Sequence, residues 1–331
     1  MISALIFSMN RVENVVKLSE KIKDYVDEIV IIDSSDKEKF EEMKNRIPYA
    51  KIYWLPPLGM VELYYKIGLE LCKNDWILHL EDDEEPSDEL LKDLKKIISK
   101  NDSKVYAICR KETKSKQAHE IFRLFHKNYV VPSGLIHFVW ASKVKPFVLD
   151  RRYYILHTEM ETNFKKLKKF SIFESWQLCC KILYLIYGAQ ITHFKNQNTF
   201  NFMKKIGKIL FYQSKLGKFG WFLLATEFNL CYLLLFLMKS SRTLKFIVYS
   251  LIYSLFIQIN LLKDFSKKLE ASLKMWEMGV FEFLGLDSYE NALKSLKGID
   301  SGNGLENFFR LIEIRLKNLK SENNRTLKHT I

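Results

Sequence analysis

Four short apolar runs, each followed by a helical pattern, fill the first hundred residues and fix the class of fold open to this chain. Ile2 to Phe7 reads as a buried strand, and Val12, Val15, Val16, Leu18, Ile22 and Val26 then recur at helical spacing. Asp27-Glu-Ile-Val-Ile-Ile-Asp33 predicts a second strand, and Lys37 to Arg46 a helix. Ala50 to Trp54 and Met60 to Lys73 repeat the pair. Asp75-Trp-Ile-Leu-His-Leu80 then leads through an acidic run to a helix opening at Pro86, with Ser87 placed to cap it. Strands that alternate with helices in this way pair in parallel, because each helix carries the chain back along the sheet. The sequence therefore predicts an α/β fold, a mostly parallel central sheet with helices on both faces. Such sheets bind ligands beyond the carboxyl ends of their strands, so Phe7 to Asn10, Asp33 to Asp36 and Glu81 to Glu85 are expected to meet at one crevice.

From 104 to 157 the segments are shorter: Lys104 to Arg110, His119 to Phe125, Tyr129 to Val131, Ile136 to Trp140 and Tyr153 to His157. They predict mixed or antiparallel strands that close the sheet. After Glu159 the pattern is helical throughout, which sets an expected boundary at 158, with residues 1–158 as one domain and 159–331 as a helical C-terminal region. The charge follows the same division. Of 52 Lys and Arg and 39 Asp and Glu, the first hundred residues hold 15 and 21, a net −6, and the remainder carries +19. Disordered and low-complexity classes are excluded by 48% hydrophobic and 14% aromatic residues with only 12 Gly and 6 Pro in 331. Five cysteines without a Cys-x-x-Cys pair, and an N-terminal apolar run only one strand long, predict a reduced, cytoplasmic chain without a secretory signal.

The acidic run Glu81-Asp82-Asp83-Glu84-Glu85 sits directly after an apolar strand. Crowded carboxylates raise one another's pKa unless something neutralises them. Two readings stand: a hard divalent ion such as Mg²⁺, which takes one or two carboxylates and leaves positions for phosphate oxygens, or a solvated acidic loop before the next helix.

Three strand ends taken together carry a resemblance. Ser8-Met-Asn10-Arg-Val-Glu13-Asn14 follows the first strand, Ile29-Val-Ile-Ile-Asp33-Ser-Ser35 ends the second, and Trp76-Ile-Leu-His-Leu-Glu81-Asp82-Asp83-Glu84 ends the fourth. In order and spacing this resembles the inverting family 2 glycosyltransferases, with their A-type, Rossmann-like nucleotide-sugar-binding fold. The likeness is good over residues 2 to about 100 and loose to 170. Ile121-Phe-Arg123-Leu-Phe125, Gly134-Leu-Ile-His137 and Ile155-Leu-His157 further resemble the surface-glycan and lipopolysaccharide-core transferases. The resemblance implies that Asn10, Glu13, Asp33, Ser35, Glu81, Asp82 and Arg123 bind the nucleotide sugar. It also implies that Asp83, with Glu81 and His157, holds Mg²⁺ or Mn²⁺. Glu81 stands where the family has Asp, Phe138 stands where it has Glu, and Glu62 and Lys66 stand where its Arg and Asn are absent. For Asn10 and Glu13 capping of the helix from Val12 is the alternative, and for His157 a core position. Inverting transfer needs a base to deprotonate the acceptor hydroxyl, for which Glu159, Glu161 and Glu62 are the candidates.

Residues 101 to 218 carry 22 basic and 7 acidic side chains, including Lys165-Lys-Leu-Lys-Lys169. Two apolar runs follow, Trp221 to Met238 and Leu244 to Leu262, each about as long as a bilayer core is thick. Glu227, Asn229, Ser250, Ser254 and Asn260 interrupt them. An interfacial hairpin, a transmembrane hairpin and a buried helical pair all fit this pattern, and the basic stretch before it favours association with an anionic leaflet. The expected partners are a nucleotide diphosphate sugar donor, a glycan or lipid-linked acceptor, and the inner face of the cell membrane around 219–262, with no nucleic acid. The alternative is a non-enzymatic nucleic-acid or anionic-surface binding protein, or a catalytically silent transferase homologue; acidic strand ends and aromatics inside apolar runs weigh against the former.

Overall fold

The computed structural model of the chain describes all residues except 101, 114–117, 136–137, 159–163, 188–196, 240–243, 287, 297–303 and 329–331. The chain divides into two compact units. The first comprises Met1–Gly134, Phe138–Met160 and Phe281–Ile331, and the second Leu135–His137 and Glu161–Val280.

In the first unit β1 (Ile2–Ser8), α1 (Val12–Ile22), β2 (Glu28–Asp33), α2 (Lys37–Arg46), β3 (Lys51–Trp54), a 3-10 turn and α3 (Tyr65–Leu71), and β4 (Trp76–Glu81) follow in the expected order. The β3, β2, β1 and β4 strands are adjacent and parallel. The chain builds outward from β1 to β2 and β3, and then crosses to the other side of β1 for β4, so the winding reverses between β1 and β4. Beyond β4 the sheet turns mixed through β5 (Glu84–Pro86), α4 (Asp88–Lys100), β6 (Val105–Glu112), β7 (Ala118–His126) and β11 (Tyr154–His157). The β7 strand is antiparallel to both β4 and β6, while β11 runs parallel to β6 and antiparallel to β5. A short β10 (Phe147–Val148) pairs in parallel with β6, and β8 (Val130–Leu135) pairs with β9 (Phe138–Ser142) as a separate ribbon.

The first strands are apolar at every position because both faces of the sheet are covered. Ile2, Ala4 and Ile6 of β1 pack with Val15 and Ile22 of α1 and Leu90 and Leu94 of α4. On the opposite face α3 comes so close that a Cβ on Gly68 would stand 2.9 Å from Leu5 Cδ1. Each fully buried Leu or Ile contributes roughly 1.5–3 kcal/mol, and β1 alone buries four such side chains or their equivalent in Phe7.

Residues 281–331 depart from the expected division at 158. The helix α10 (Val280–Leu284) begins this segment, and α11 (Tyr289–Leu296) and α12 (Gly304–Lys328) follow. The first unit holds them: Phe281 lies under the Lys66 ammonium, and Asn307 Nδ2 donates to Pro57 O at 3.4 Å. Gly304 is required at the start of α12, since a Cβ there would meet Gly59 N at 2.5 Å. A helical period records an apolar face but not its partner, so the sequence assigned these helices to the region just before them.

The second unit consists of α5 (Phe164–Tyr187), α6 (Gln197–Ser214), α7 (Gly217–Lys239), α8 (Leu244–Leu262) and α9 (Phe265–Met278). Leu178, Ile182, Trp221, Leu224, Leu261 and Leu269 form its core. Polar residues are also buried: Ser171, Gln177, Asn229, Ser250, Lys268 and Ser272. Asn260 Nδ2 donates to Ser171 Oγ at 3.2 Å, Asn229 Nδ2 to Ser254 O at 3.1 Å, and Lys268 Nζ to the carbonyls of Asn260 and Lys263. Among the described residues no single helix is long and apolar enough to cross a membrane. Ile247–Leu262 and Phe265–Met278 reach that length only as a pair, bent by 89°.

Candidate functional site

A cleft of about 320 Å³ opens beyond the carboxyl ends of β1, β2 and β4. It lies where the winding reverses, the position at which α/β sheets present a crevice. Ser8 and Met9 come from β1 and its loop, Ser34 from beyond β2, and Glu81, Asp82 and Asp83 from the end of β4. Pro57, Leu58, Met60, Val61 and Tyr64 form an apolar wall.

The loop after β1 is held tightly. Asn10 takes φ +61°, a left-handed backbone that non-glycine residues adopt at a cost and that Asn tolerates best. Its N–H donates to Ser35 Oγ at 2.7 Å and its Oδ1 accepts from Asp36 N at 3.2 Å. Asn10 thus ties the loop after β1 to the loop after β2, and it does not cap α1. Glu13 points away from the cleft, 78% exposed, in a pair with Arg46 of α2. Among the described residues it neither caps α1 nor lines the cleft.

Asp33 and Ser35 lie beneath the cleft and not on its surface. Asp33 is fully buried, its Oδ1 accepting from Ser35 Oγ at 2.7 Å and its Oδ2 from Ser35 N at 3.1 Å, and Trp54 Nε1 donates to Ser35 O at 2.8 Å. Burial pushes the Asp33 carboxyl above its ordinary pKa, and the bonds from Ser35 recover only part of that shift. In this arrangement the pair shapes the turn that presents Ser34 to the cleft.

The five acids from the last residue of β4 onward separate three ways, because Glu84–Pro86 forms a strand against β11 in place of a loop. Strand alternation sends Glu84 inward and Glu85 outward. Glu85 meets Lys21 at 2.7 Å and Lys17 at 3.3 Å on α1. Glu84 and Glu81 each accept from Arg123 Nη2 at 2.7 Å, and Glu84 Oε2 also accepts from Glu81 N at 3.0 Å. Arg123 is only 1% exposed. Its Nη1 donates to His79 Nδ1 at 2.7 Å, and Trp140 Nε1 donates to the same atom at 2.9 Å. Two donors on Nδ1 require it to be bare, which places the proton on Nε2. Burial, and then Arg123, hold the His79 imidazole neutral, with a pKa well below its ordinary value. Arg123, expected at the nucleotide, is instead the buried anchor of the acidic turn. The sequence signal for this was a lone Arg inside an apolar strand, since a buried guanidinium needs carboxylates opposite it.

Asp82 and Asp83 are left for the cleft. Arg11 Nη1 lies 2.9 Å from Asp82 Oδ1 and 2.9 Å from Asp83 Oδ2. His157 Nε2 stands 3.4 Å from Asp83 Oδ1, while its Nδ1 bonds Glu112. The two aspartates titrate apart. Burial pushes Asp82 up to about 6 despite Arg11, and for Asp83 the bonds from His157 and Arg11 outweigh burial and hold it at about 2. Burial lowers the His157 pKa, but Asp83 and Glu112 outweigh it and raise the net value.

Asp82 and Asp83 offer the hard oxygens that Mg²⁺ or Mn²⁺ prefers. The expected set of Asp83, Glu81 and His157 does not fit such an ion here. Glu81 is committed to Arg123, His157 is held between Asp83 and Glu112, and Arg11 fills the place between the two aspartates. Among the described residues no three His, Cys, Asp or Glu side chains converge as ion ligands. Glu62 lies on the 3-10 turn Val61–Tyr64, of which Val61 and Tyr64 line the cleft and Glu62 does not. Glu159, Glu161 and His137 lie outside the described residues. Thr158, which precedes Glu159, donates its N–H to Asp83 O at 3.0 Å. Arg11 itself was not expected. Its signal was a cation one residue after Asn10 in a front half otherwise rich in acids.

No protein-family model matches the chain. Over 105 residues, 32% of its length, it is 30% identical to an uncharacterized glycosyltransferase of Rickettsia felis, and the match covers 36% of that protein. A second uncharacterized glycosyltransferase, from Rickettsia bellii, matches at 30% over 105 residues, 35% of its length. The similarity thus spans about a third of each relative. Among solved structures, S. aureus TarS 1-349 aligns over 84% of this chain and 91% of its own at a TM-score of 0.41 and 12% identity. Its complex with UDP-GlcNAc aligns over 84% and 92% at the same TM-score and identity.

Proposed function

We propose that the protein is a glycosyltransferase that moves a sugar from a nucleoside diphosphate sugar to a glycan or lipid-linked acceptor, with inversion at the anomeric carbon. The observation that carries this reading is the cleft at the reversal point of the sheet, with a guanidinium and two aspartates at its floor and an apolar wall opposite. The likeness to glycosyltransferases over a third of the chain supports it. Arg11 would meet the diphosphate as the cation that lines the cleft. The wall from Pro57 to Tyr64 would cover the base or sugar and keep water from the leaving group. The acceptor proton is assigned to Glu159, ahead of Glu161 and Glu62, as the carboxylate base that inverting transfer requires.

We further propose that the second unit rests on the cytoplasmic face of a membrane. Val248, Leu251, Leu255, Ile259 and Leu262 recur every three to four residues along α8 and are all 45–60% exposed. Exposed Lys208 on α6, Lys215 in the turn after it and Lys218 on α7 supply the charge that an anionic leaflet attracts.

The enzymatic reading is tested with a panel of UDP, GDP, ADP and CDP sugars, with and without Mg²⁺ or Mn²⁺, scored for thermal stabilisation and slow donor hydrolysis. One donor is expected to raise the melting temperature and to be hydrolysed. Asp83→Asn is expected to lose hydrolysis while retaining the fold. No response to any donor, with salt-dependent binding to RNA or DNA, would return the protein to the binding-protein class.

A further inference from the structure

The cleft presents an electrostatic difficulty that points to its own solution. Three carboxylates, Glu81, Asp82 and Asp83, line it, and a donor's diphosphate would bring more negative charge to the same place. Glu81 is neutralised from behind by Arg123, which has no surface in the cleft. The two aspartates have Arg11, the one cationic side chain among the described residues lining the cleft.

Arg11 is built into this position. It follows Asn10, whose left-handed backbone is fixed from both sides by Ser35 and Asp36, and it precedes α1, so its Cα cannot drift along the cleft. A single nitrogen, Nη1, is shared equally between Asp82 Oδ1 and Asp83 Oδ2 at 2.9 Å. That is the place a divalent ion bridging the two carboxylates would take. The remaining groups expected to complete an ion's shell face elsewhere, Glu81 to Arg123 and His157 Nδ1 to Glu112. Asp82 and Asp83 are therefore the clamp that holds a guanidinium in the cleft lining, where its charge meets incoming phosphate oxygens.

We propose that Arg11 occupies the cation position between Asp82 and Asp83, and that this guanidinium, in place of a bound divalent ion, receives the diphosphate of the donor. The statement about the cation position stands on geometry alone, and the statement about the diphosphate rests on the glycosyltransferase reading.

Two measurements on the full chain test it. The first uses Mn²⁺ alone, followed by the electron paramagnetic resonance signal of the free ion. Wild type is expected to leave that signal unchanged. Arg11→Ala, checked for its fold by circular dichroism, is expected to take up one equivalent, which a further Asp83→Asn change removes. Arg11→Lys, which keeps the charge, is expected to exclude the ion as wild type does. Uptake of one equivalent by wild type that Asp83→Asn abolishes would overturn the proposal, as would an Arg11→Ala protein that binds no ion. The second measurement titrates UDP and GDP calorimetrically in EDTA. Wild type is expected to bind one of them within threefold of its affinity in Mn²⁺, and Arg11→Ala to lose at least tenfold in EDTA. Binding that requires Mn²⁺, or that survives Arg11→Ala, removes the diphosphate role. Failure of both nucleotides in both conditions counts against the glycosyltransferase reading, and the Mn²⁺ result still decides the cation position.

Discussion

The two units place their polar and apolar residues in opposite ways. In the first, Ile, Leu and Val fill the interior, and the buried charges, Arg123 with Glu81 and Glu84, are matched across three strands. In the second, Gln177, Asn229, Lys268 and Ser272 are inside while Ile209, Phe219, Leu230, Leu255 and Ile259 are more than half exposed. A unit surrounded by water hides its large apolar groups; one that leaves a stripe of them outside, and keeps amides and hydroxyls at helix contacts, is suited to an apolar neighbour. The difference teaches that the first unit owes its shape to pairing within the protein, and that the second leaves an apolar face outside, the face for which a membrane is proposed.

The strongest way to break this comparison is at Arg123. Arg123→Leu leaves Glu81 and Glu84 buried without a counter-charge and should destabilise the first unit by about 3–5 kcal/mol in urea unfolding. A loss under about 1 kcal/mol would mean that the charges there are incidental. Asp82 gives a sharper, pH-dependent version. Its folded pKa is raised, so its contribution is fully present below the ordinary carboxylate pKa and is lost as pH rises through about 6. Between pH 4 and pH 7 in EDTA, wild type should lose about 2–3 kcal/mol that Asp82→Asn does not. Parallel stability curves for the two proteins would refute the assignment. In the second unit the double variant Leu251→Ser, Leu255→Ser should leave stability in solution within about 0.5 kcal/mol. The same variant should bind vesicles of phosphatidylcholine and phosphatidylglycerol about tenfold more weakly in a sedimentation assay, the loss of two partly inserted side chains. Unchanged vesicle binding would sink the membrane role of this face. The smallest effect is expected at Glu13: Glu13→Gln should change neither melting temperature nor donor response, whereas a lost donor response would return Glu13 to the cleft.

Much of the first unit was legible because a parallel sheet covered on both faces leaves continuous apolar runs. β1, β2 and β4 fall within a residue or two of the runs that predict them, and the crevice lies at the three strand ends read from the sequence. The acidic run was legible as part of the crevice but not in its division. Whether an acid faces Arg123, Arg11 or Lys21 depends on β5 pairing with β11, a contact over some seventy residues that no local pattern records. Asp33 was placed at the right turn and one layer too shallow, because the spacing of motifs gives no depth. The helices from 164 to 278 were legible as helices, but their near-uniform hydrophobicity did not distinguish the inner from the outer face.

The contact between α12 and the cleft wall sets an order of events during synthesis. Pro57 and Gly59 are backed by Gly304 and Asn307, which the ribosome adds 250 residues after Pro57. At 5–20 residues per second that is a delay of roughly 10–50 s, in which the parallel strands can already pair while the wall lacks its support. A nascent chain would thus hold a sheet but no finished cleft until α12 emerges, after all the helices of the second unit have been made.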